Sequence, residues 1–547
     1  MSLVKIDAVV RILSLAWSAA LIGLMATGTF SPARIGTMTW GPGHDIWSAA
    51  IAISQINFGL SGKLAYREIE QTIAIEIIES KNVWDSTNDT TRRLLKDPSA
   101  VTRGLRAGAA VKKDDISVPT TKEGYVTDWC EDLGYADFYN LAFRIFGFNA
   151  FSTHWLYISL LALSYLLFVA VFFRDNSAIG TLTLSTTALF LVSSSSIFSD
   201  GLPSFAANRF LSTLAIIPLL YIIHMALRRR SLGWPEVFVL LAQAGLLAFT
   251  MAARSSAEWC VVAFMAFLLA VILMRRFKNA VRGSESGRIK SFAWSFASIP
   301  TIRRLGITGL LVVAVTTAVG LVRNSQFDEV YFREDNIPHH LFWHSAFLGL
   351  TYSPDWAVYR PYPDLPLYGD GAAFNVFEQR MRELGQPVVS NRSYYRARVY
   401  EPAIRNEYLK FIARNPRFSF ELFAYHKPRL TFDLLVTLIG SIGAVGGMLA
   451  GISLVLVTAL LVSPRQWLTS RTELATSFGL VWLCSLLPIF WAYPEQHAFT
   501  DQLWSSLFVL LEILSFLGAK IVQATIPGDA KTVSVQIPTP SEAHARS

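Results

Sequence analysis

Gly41-Pro42-Gly43-His44-Asp45-Ile46-Trp47 comes directly after the first long apolar segment of the chain. Asp45 sits where a helix leaves the membrane and the chain turns into a large water-facing loop. That loop runs to about Ser152, and its far end carries a second acidic group, Asp128, Glu131 and Asp132. The rest of the chain reads as scaffold that holds these two ends over a bilayer.

Composition supports that reading. The chain has 547 residues, of which 52% are hydrophobic and 16% charged, with a mean hydropathy of +0.39. A soluble domain carries roughly a quarter charged residues. Several runs of about twenty apolar residues define an all-α polytopic membrane protein. The net charge of +8 does not point to nucleic acid, because Lys and Arg cluster in short loops, as they do on the cytoplasmic side of membrane proteins. The three cysteines, Cys130, Cys260 and Cys484, form no disulfide framework and no zinc spacing. The basic N-terminus followed by an apolar run from Ile12 to about Gly28 reads as a retained signal anchor.

Basic loops fix the expected topology. Lys5 and Arg11 precede span one, Val9 to Thr29, so the N-terminus is expected inside. The first external loop, about 30–152, contains a helix from Asp45 to Leu60, an amphipathic rod over Leu64 to Ser80, and a polar stretch from Asn82 to Thr121. Spans two to seven follow: Thr153–Phe173, Ala178–Phe198, a fourth ending at Leu227, Trp234–Ala253, a sixth ending at Met274, and Leu305–Leu321. Arg228-Arg229-Arg230 and the loop from Arg275 to Arg304 mark the cytoplasmic side. A second external segment, about 324–429, holds helices near Ala373–Leu384 and Pro402–Asn415 and an aromatic stretch, Phe418 to Tyr425, that rests on the membrane surface. The apolar run Leu430 to Val462 is too long for one straight span at 1.5 Å per residue. Gly440, Gly443, Gly446 and Gly447 break it into a short embedded piece and span eight. Spans nine and ten, Leu474–Tyr493 and a last helix ending near Lys520, complete ten, with both termini inside. Three blocks follow from this: a membrane module with its loop (1–323), the external segment (324–429) and the C-terminal helices (430–522). The tail, 523–547, is rich in Pro, Ser and Thr and reads as disordered.

Acids and bases gather at the expected external face, where ionisable groups near a bilayer ask for a reason. They include Asp45, Asp128, Glu131, Asp132, Asp200, Arg209, Arg254, His339, His340, His344, Arg429, His497 and Asp501. His344, within Phe342-Trp343-His344-Ser345, reads as hydrogen-bonded in an aromatic cluster or as a substrate contact. Asp128, Glu131 and Asp132 could hold a divalent cation, but their spacing defines no metal site, and none is assigned.

One stretch resembles a known family. Asp132-Leu133-Gly134-Tyr135, then Phe143-Arg144-Ile145-Phe146-Gly147, then a small polar linker and a span, resembles the first external loop of GT-C class integral-membrane glycosyltransferases. The family 39-like and lipid A aminoarabinose transferase-like members carry an Asp-Pro-Pro-Gly-Tyr-Pro pattern there, followed by a helix ending in Arg-Leu/Phe-Phe-Gly. The two prolines are absent here. The likeness covers about Gly41 to Phe173, and the remainder matches in layout. The resemblance implies a GT-C-like fold and transfer of a sugar from a polyprenyl-phosphate donor to a glycan or lipid acceptor, on the outer side of a bacterial inner membrane. The family places a catalytic acid early in this loop, a position that Asp45 occupies.

Such a reaction needs a base for the acceptor hydroxyl and cationic or hydrogen-bonding groups on the departing phosphate. Asp45 is the candidate base, with Asp132 and Asp128 behind it. His44, Glu131, Arg209, Arg254, His344 and His497 are the candidate substrate contacts. Two rival readings fit the layout: an O-antigen polymerase or ligase, and a transporter or flippase with no chemistry. A transporter commonly shows repeats and mid-membrane charges in broken helices. No repeat is visible, and Glu512 in the last span is the main polar exception.

Overall fold

With no water to bond its backbone, a chain in a bilayer closes its N–H and C=O groups within helices. The computed structural model describes residues 3–28, 133–146, 151–195, 208–227, 233–254, 257–284, 299–326, 342–366, 371–386, 399–462, 471–491 and 500–525. Every regular element among them is helical. Five helices are long and apolar enough to cross a membrane: Ile6–Thr27, Ser152–Phe172, Trp234–Ala253, Gly443–Val462 and Thr500–Thr525. Four shorter apolar helices accompany them, Ser212–Leu227, Cys260–Leu273, Gly306–Val322 and Ser477–Leu487. Described helices occur within each stretch read as a span, and five of them meet the length and hydropathy that crossing requires. The expected helices at Asp45–Leu60 and Leu64–Ser80, the polar stretch to Thr121 and most of the tail lie outside the described residues.

In chain order the bundle is built from α1 (Leu3–Thr27), α2 (Leu133–Phe146), α3 (Phe151–Phe172), α4 (Asn176–Ser193), the single turn α5 (Asn208–Leu211) running through a 3-10 turn into α6 (Ile216–Leu227), α7 (Trp234–Ala253), α8 (Glu258–Ser284) and α9 (Ile299–Gln326). After a lobe described below come α15 (Lys427–Ser441), α16 (Gly443–Val462), α17 (Arg471–Trp491) and α18 (Thr500–Thr525).

α4 is the axis of the bundle. Every residue from Ala178 to Ser193 is buried, against α1, α16 and α18. It is rich in Thr and Ser, which an apolar interior accepts when each hydroxyl has a partner. Thr183 and Thr187 donate to the carbonyls one turn back, Ile179 and Thr183, at 2.9 and 2.7 Å. Others reach across: Ser18 Oγ donates to Thr183 Oγ1 at 3.3 Å. Ser453 Oγ of α16 lies 2.8 Å from Thr187 Oγ1 and accepts from Trp17 Nε1–H at 2.7 Å. These contacts fix α1, α4 and α16 in one register.

Two glycines shape the packing. Gly134, in α2, lies so close to α7 that a Cβ there would land on the Ala252 carbonyl and the Ala253 nitrogen. Gly443 takes a φ of +66°, the left-handed region open to glycine at little cost. It separates α15 from α16 at one of the four glycines expected to break the long apolar run.

Between α9 and α15 the chain builds a lobe with its own core. Its helices are α10 (Phe342–Leu348), the single turn α11 (Trp356–Tyr359), α12 (Gly371–Glu383), α13 (Tyr400–Arg414) and α14 (Pro416–Glu421). Trp356, Phe347, Val376, Phe377, Tyr400, Ile404 and Phe418 are buried in it. Two of its helices match the expected ones to within three residues. Phe418, expected on the membrane surface, is instead a core residue, 1% exposed, while Phe420 is 73% exposed. A π-helical turn, Leu422–His426, joins α14 to α15 without interruption, so a single helical rod runs from the lobe into the bundle.

Candidate functional site

One end of the bundle brings together several buried polar groups from distant parts of the chain. α3 starts there, and His154 Nε2 lies 2.9 Å from the Ala26 carbonyl at the end of α1. α7 ends there at Arg254, and α18 starts there at Thr500. The 3-10 turn after α5 packs on α7 and α18. Its first residue, Ser212, donates from Oγ to Asp501 Oδ1 at 2.6 Å, a short charge-assisted bond. Beside it Thr213 Oγ1 donates to the Phe210 carbonyl and lies 2.7 Å from the Tyr157 hydroxyl. Ser212, Thr213 and Tyr157 are each 1% exposed or less. Arg254 lies near enough for its guanidinium to act on the Asp501 carboxylate.

The sequence explains why these groups converge. Arg209 and Ser212 stand three residues apart on one turn. α7 is closed at its far end by Gly233 with Pro235 in the first turn, and its other end delivers Arg254 where the apolar stretch stops. α18 opens with Thr500 and Asp501, so an acid meets the positive end of the helix dipole.

Below this cluster lies a cavity of about 30 Å³. Asp501, Gln502, Ser505, Ser485, Cys260 and Ile216 are among the residues around it. That volume suits one or two waters and cannot take a sugar ring.

Of the residues singled out from the sequence, the structure brings the elements of Arg209 and Arg254 together, since α5 packs on α7. His344 lies in the lobe. Its Nδ1 is 2.7 Å from the Tyr400 hydroxyl, and its ring packs on Phe374, with centroids 4.9 Å apart. Glu401 caps α10 by accepting from the backbone N–H of Trp343 and His344 at 3.0 and 3.1 Å. This is the hydrogen-bonded aromatic setting expected for His344. His44, Asp45, Asp128, Glu131, Asp132 and His497 lie outside the described residues. Among the described residues no group of three or more His, Cys, Asp or Glu could hold a metal, and Cys260 and Cys484 are free thiols.

Asp501, Ser212 and Tyr157 were not given roles by sequence reasoning. Asp501 was visible as an acid closing an external turn. Its pairing with Ser212 and Arg254 spans 289 and 247 residues and had no signal in the linear pattern.

No family model, no characterised protein and no solved structure matches this chain.

Proposed function

We propose that the protein is a membrane glycosyltransferase that takes a sugar from a polyprenyl-phosphate donor and passes it to a glycan or lipid acceptor at the outer face of a bacterial inner membrane. One observation carries the reading. The turn bearing Arg209 packs on the helix that ends at Arg254, and the 3-10 turn that follows it carries Ser212, which bonds Asp501 of α18. Two guanidinium-bearing positions at one membrane boundary suit a phosphate whose lipid tail stays in the bilayer.

In this reading Asp501 is a positioning residue. Ser212 fixes its carboxylate, and the carboxylate orients Arg254. Asp45 takes the proton from the acceptor hydroxyl. The acceptor oxygen then bonds to the anomeric carbon as the bond from that carbon to the phosphate oxygen breaks. The electron pair leaves with the phosphate, which Arg209, Arg254 and His497 hold.

The test is Asp45→Asn. Asn caps a helix about as well as Asp, so a capping role leaves both protein level and activity normal. As the base, Asp45 gives normal folded protein in the membrane and a loss of transfer on the order of a hundredfold or more. Full activity of the variant in a donor-lipid assay would remove Asp45 as base and point to Asp132 or Asp128. A second reading, a flippase for the same lipids, is favoured by a single feature, the acid Glu512 midway along α18.

A further inference from the structure

Glu512 is twelve residues from the start of α18 and thirteen from its end, about 18 and 20 Å from the two ends at 1.5 Å per residue. It therefore sits near mid-span. Phe508, Leu511, Ser515 and Ala519 form the buried face of α18, and Glu512 stands at its edge. Its carboxyl hydrogen-bonds the Thr181 hydroxyl of α4. Its Oε1 is sealed from solvent and has no hydrogen-bond partner. One turn on, Ser515 is fully buried and its Oγ also has no partner.

No cation of the described chain answers this acid. α4 and α16, its main neighbours, carry no Lys, Arg, His, Asp or Glu within Asn176–Ser193 and Gly443–Val462. On α15, Arg429 is 3.7 Å from Asp433 and bonded to the Tyr425 hydroxyl, and Lys427 lies over the Phe423 ring. α17 carries its two charged residues, Arg471 and Glu473, in its first turn. On α18 itself, Asp501 belongs to the cluster at the outer end, and Lys520 lies over the Phe516 ring two turns away. Arg209, on α5, is at the outer end as well. A bare carboxylate near mid-span with no basic partner among the described residues costs several kcal/mol.

We propose that Glu512, Ser515 and Thr181 form a binding site for one monovalent cation, a proton or a sodium ion. All three groups offer oxygen, the donor that hard cations take. The bound ion neutralises Glu512 at Oε1, which has no partner, and a sodium ion would draw in Ser515 Oγ, three residues on and likewise without one. This site stands whether the protein transfers its lipid-linked substrate or moves it.

A membrane-soluble carbodiimide tests it on the full-length protein in detergent or vesicles. Such a reagent attacks a carboxyl in its acid form. The acid proton passes to one carbodiimide nitrogen, the carboxyl oxygen bonds to the central carbon, and an oxygen-to-nitrogen acyl shift leaves a stable N-acylurea with no atom lost. Peptide mass mapping should find the adduct on Glu512 in sodium-free buffer at mildly acidic pH. Ser515→Ala and Thr181→Val, which keep the acid, should change the extent of labelling, and Glu512→Gln should abolish it. For a proton site, labelling is indifferent to sodium and falls about tenfold per pH unit beyond its midpoint, as a single proton requires. A sodium site is protected by sodium and not by potassium or choline. The proposal is overturned if Glu512 of the wild-type protein takes no label under any of these conditions, or if its labelling ignores pH and sodium alike.

Discussion

Gly134 shows what a single hydrogen atom in place of a methyl can hold together. It belongs to the Asp132–Tyr135 stretch that carried the family resemblance, yet its structural reason is the close approach of α2 to the carbonyl end of α7. Gly134→Ala should push α2 away and cost about 2 kcal/mol, the middle of the range for overpacking a tight interface. Gly245→Ala, on α7 itself, is the control. A Cβ there meets nothing, and alanine favours a helix by up to about 1 kcal/mol. Thermal unfolding in detergent should show a lowered midpoint for the first and an unchanged or raised one for the second. Equal midpoints would mean that α2 does not depend on that contact. At this scale the sequence was partly legible. Arg254 and Arg209 stood out as charges at span ends, and His344 as a member of an aromatic group. What could not be read was proximity, because the partners of Gly134 and Asp501 come from distant parts of the chain.

At the scale of elements, apolar periodicity and glycine spacing did most of the work. α7 was legible to the residue: the apolar run Trp234–Ala253, ended by Arg254, is the helix observed, and the structure adds Gly233 at its N-cap and Pro235 in its first turn. The break in Leu430–Val462 was legible as a glycine cluster, but the choice of Gly443 rested on a backbone angle. The lobe was less so, because its helices are short and its core forms between segments. Its surface makes a pH prediction. Glu383 accepts from Arg380 at 2.8 Å and from the Tyr362 hydroxyl at 3.0 Å. Arg380 first, then Tyr362, holds the Glu383 carboxyl below its ordinary value of 4.5. The lowered value means that the ionised form is favoured by folding. The contribution is therefore present above about pH 4.5 and is lost as pH falls through the lower, folded value. Burial first, and the Glu383 bond second, pushes the Tyr362 hydroxyl up to about 12. Glu383→Gln should flatten the acid limb of lobe stability followed by hydrogen exchange at α12, and the flattening should shrink in high salt. An unchanged acid limb would remove Glu383 from the lobe's response.

For the whole molecule, the charge pattern makes the sharpest statement. Arg275 to Arg304, expected as a loop, is the helical end of α8, the helical start of α9 and the segment between them; it is the most basic stretch of the chain, so it belongs on the side opposite the lobe if the positive-inside rule orients the bundle. Two single-cysteine variants test this in a background lacking Cys130, Cys260 and Cys484. Ser284→Cys, at the end of α8, should react with an impermeant thiol reagent only after the cells are opened. Arg417→Cys, at a side chain 84% exposed on the lobe, should react in intact cells. Labelling of the first from outside would reverse the topology. Fold class was legible at this scale because hydropathy and loop charge are additive along the chain. The burial of α4 on all sides was not, since a Thr-rich helix at the centre of a bundle depends on hydroxyl pairings with α1 and α16.

The π turn at Leu422–His426 sets the phase between lobe and bundle. Each residue advances an α-helix by about 100°, and a π turn takes up one extra residue within a single turn, so the apolar pattern beyond it shifts by one position while the two ends of the rod stay in phase. Phe418 and Leu422 face the lobe's core, while Leu438 is buried against the bundle. The rod thus behaves as a coupling between two shafts keyed in one phase. Deleting one residue within 422–426 would let a plain α-helix close the rod with lobe and bundle in nearly the same phase, whereas one residue inserted in the regular helix beyond it, within 427–437, would turn the lobe by about 100° about that axis, away from the face of α17 that it now touches.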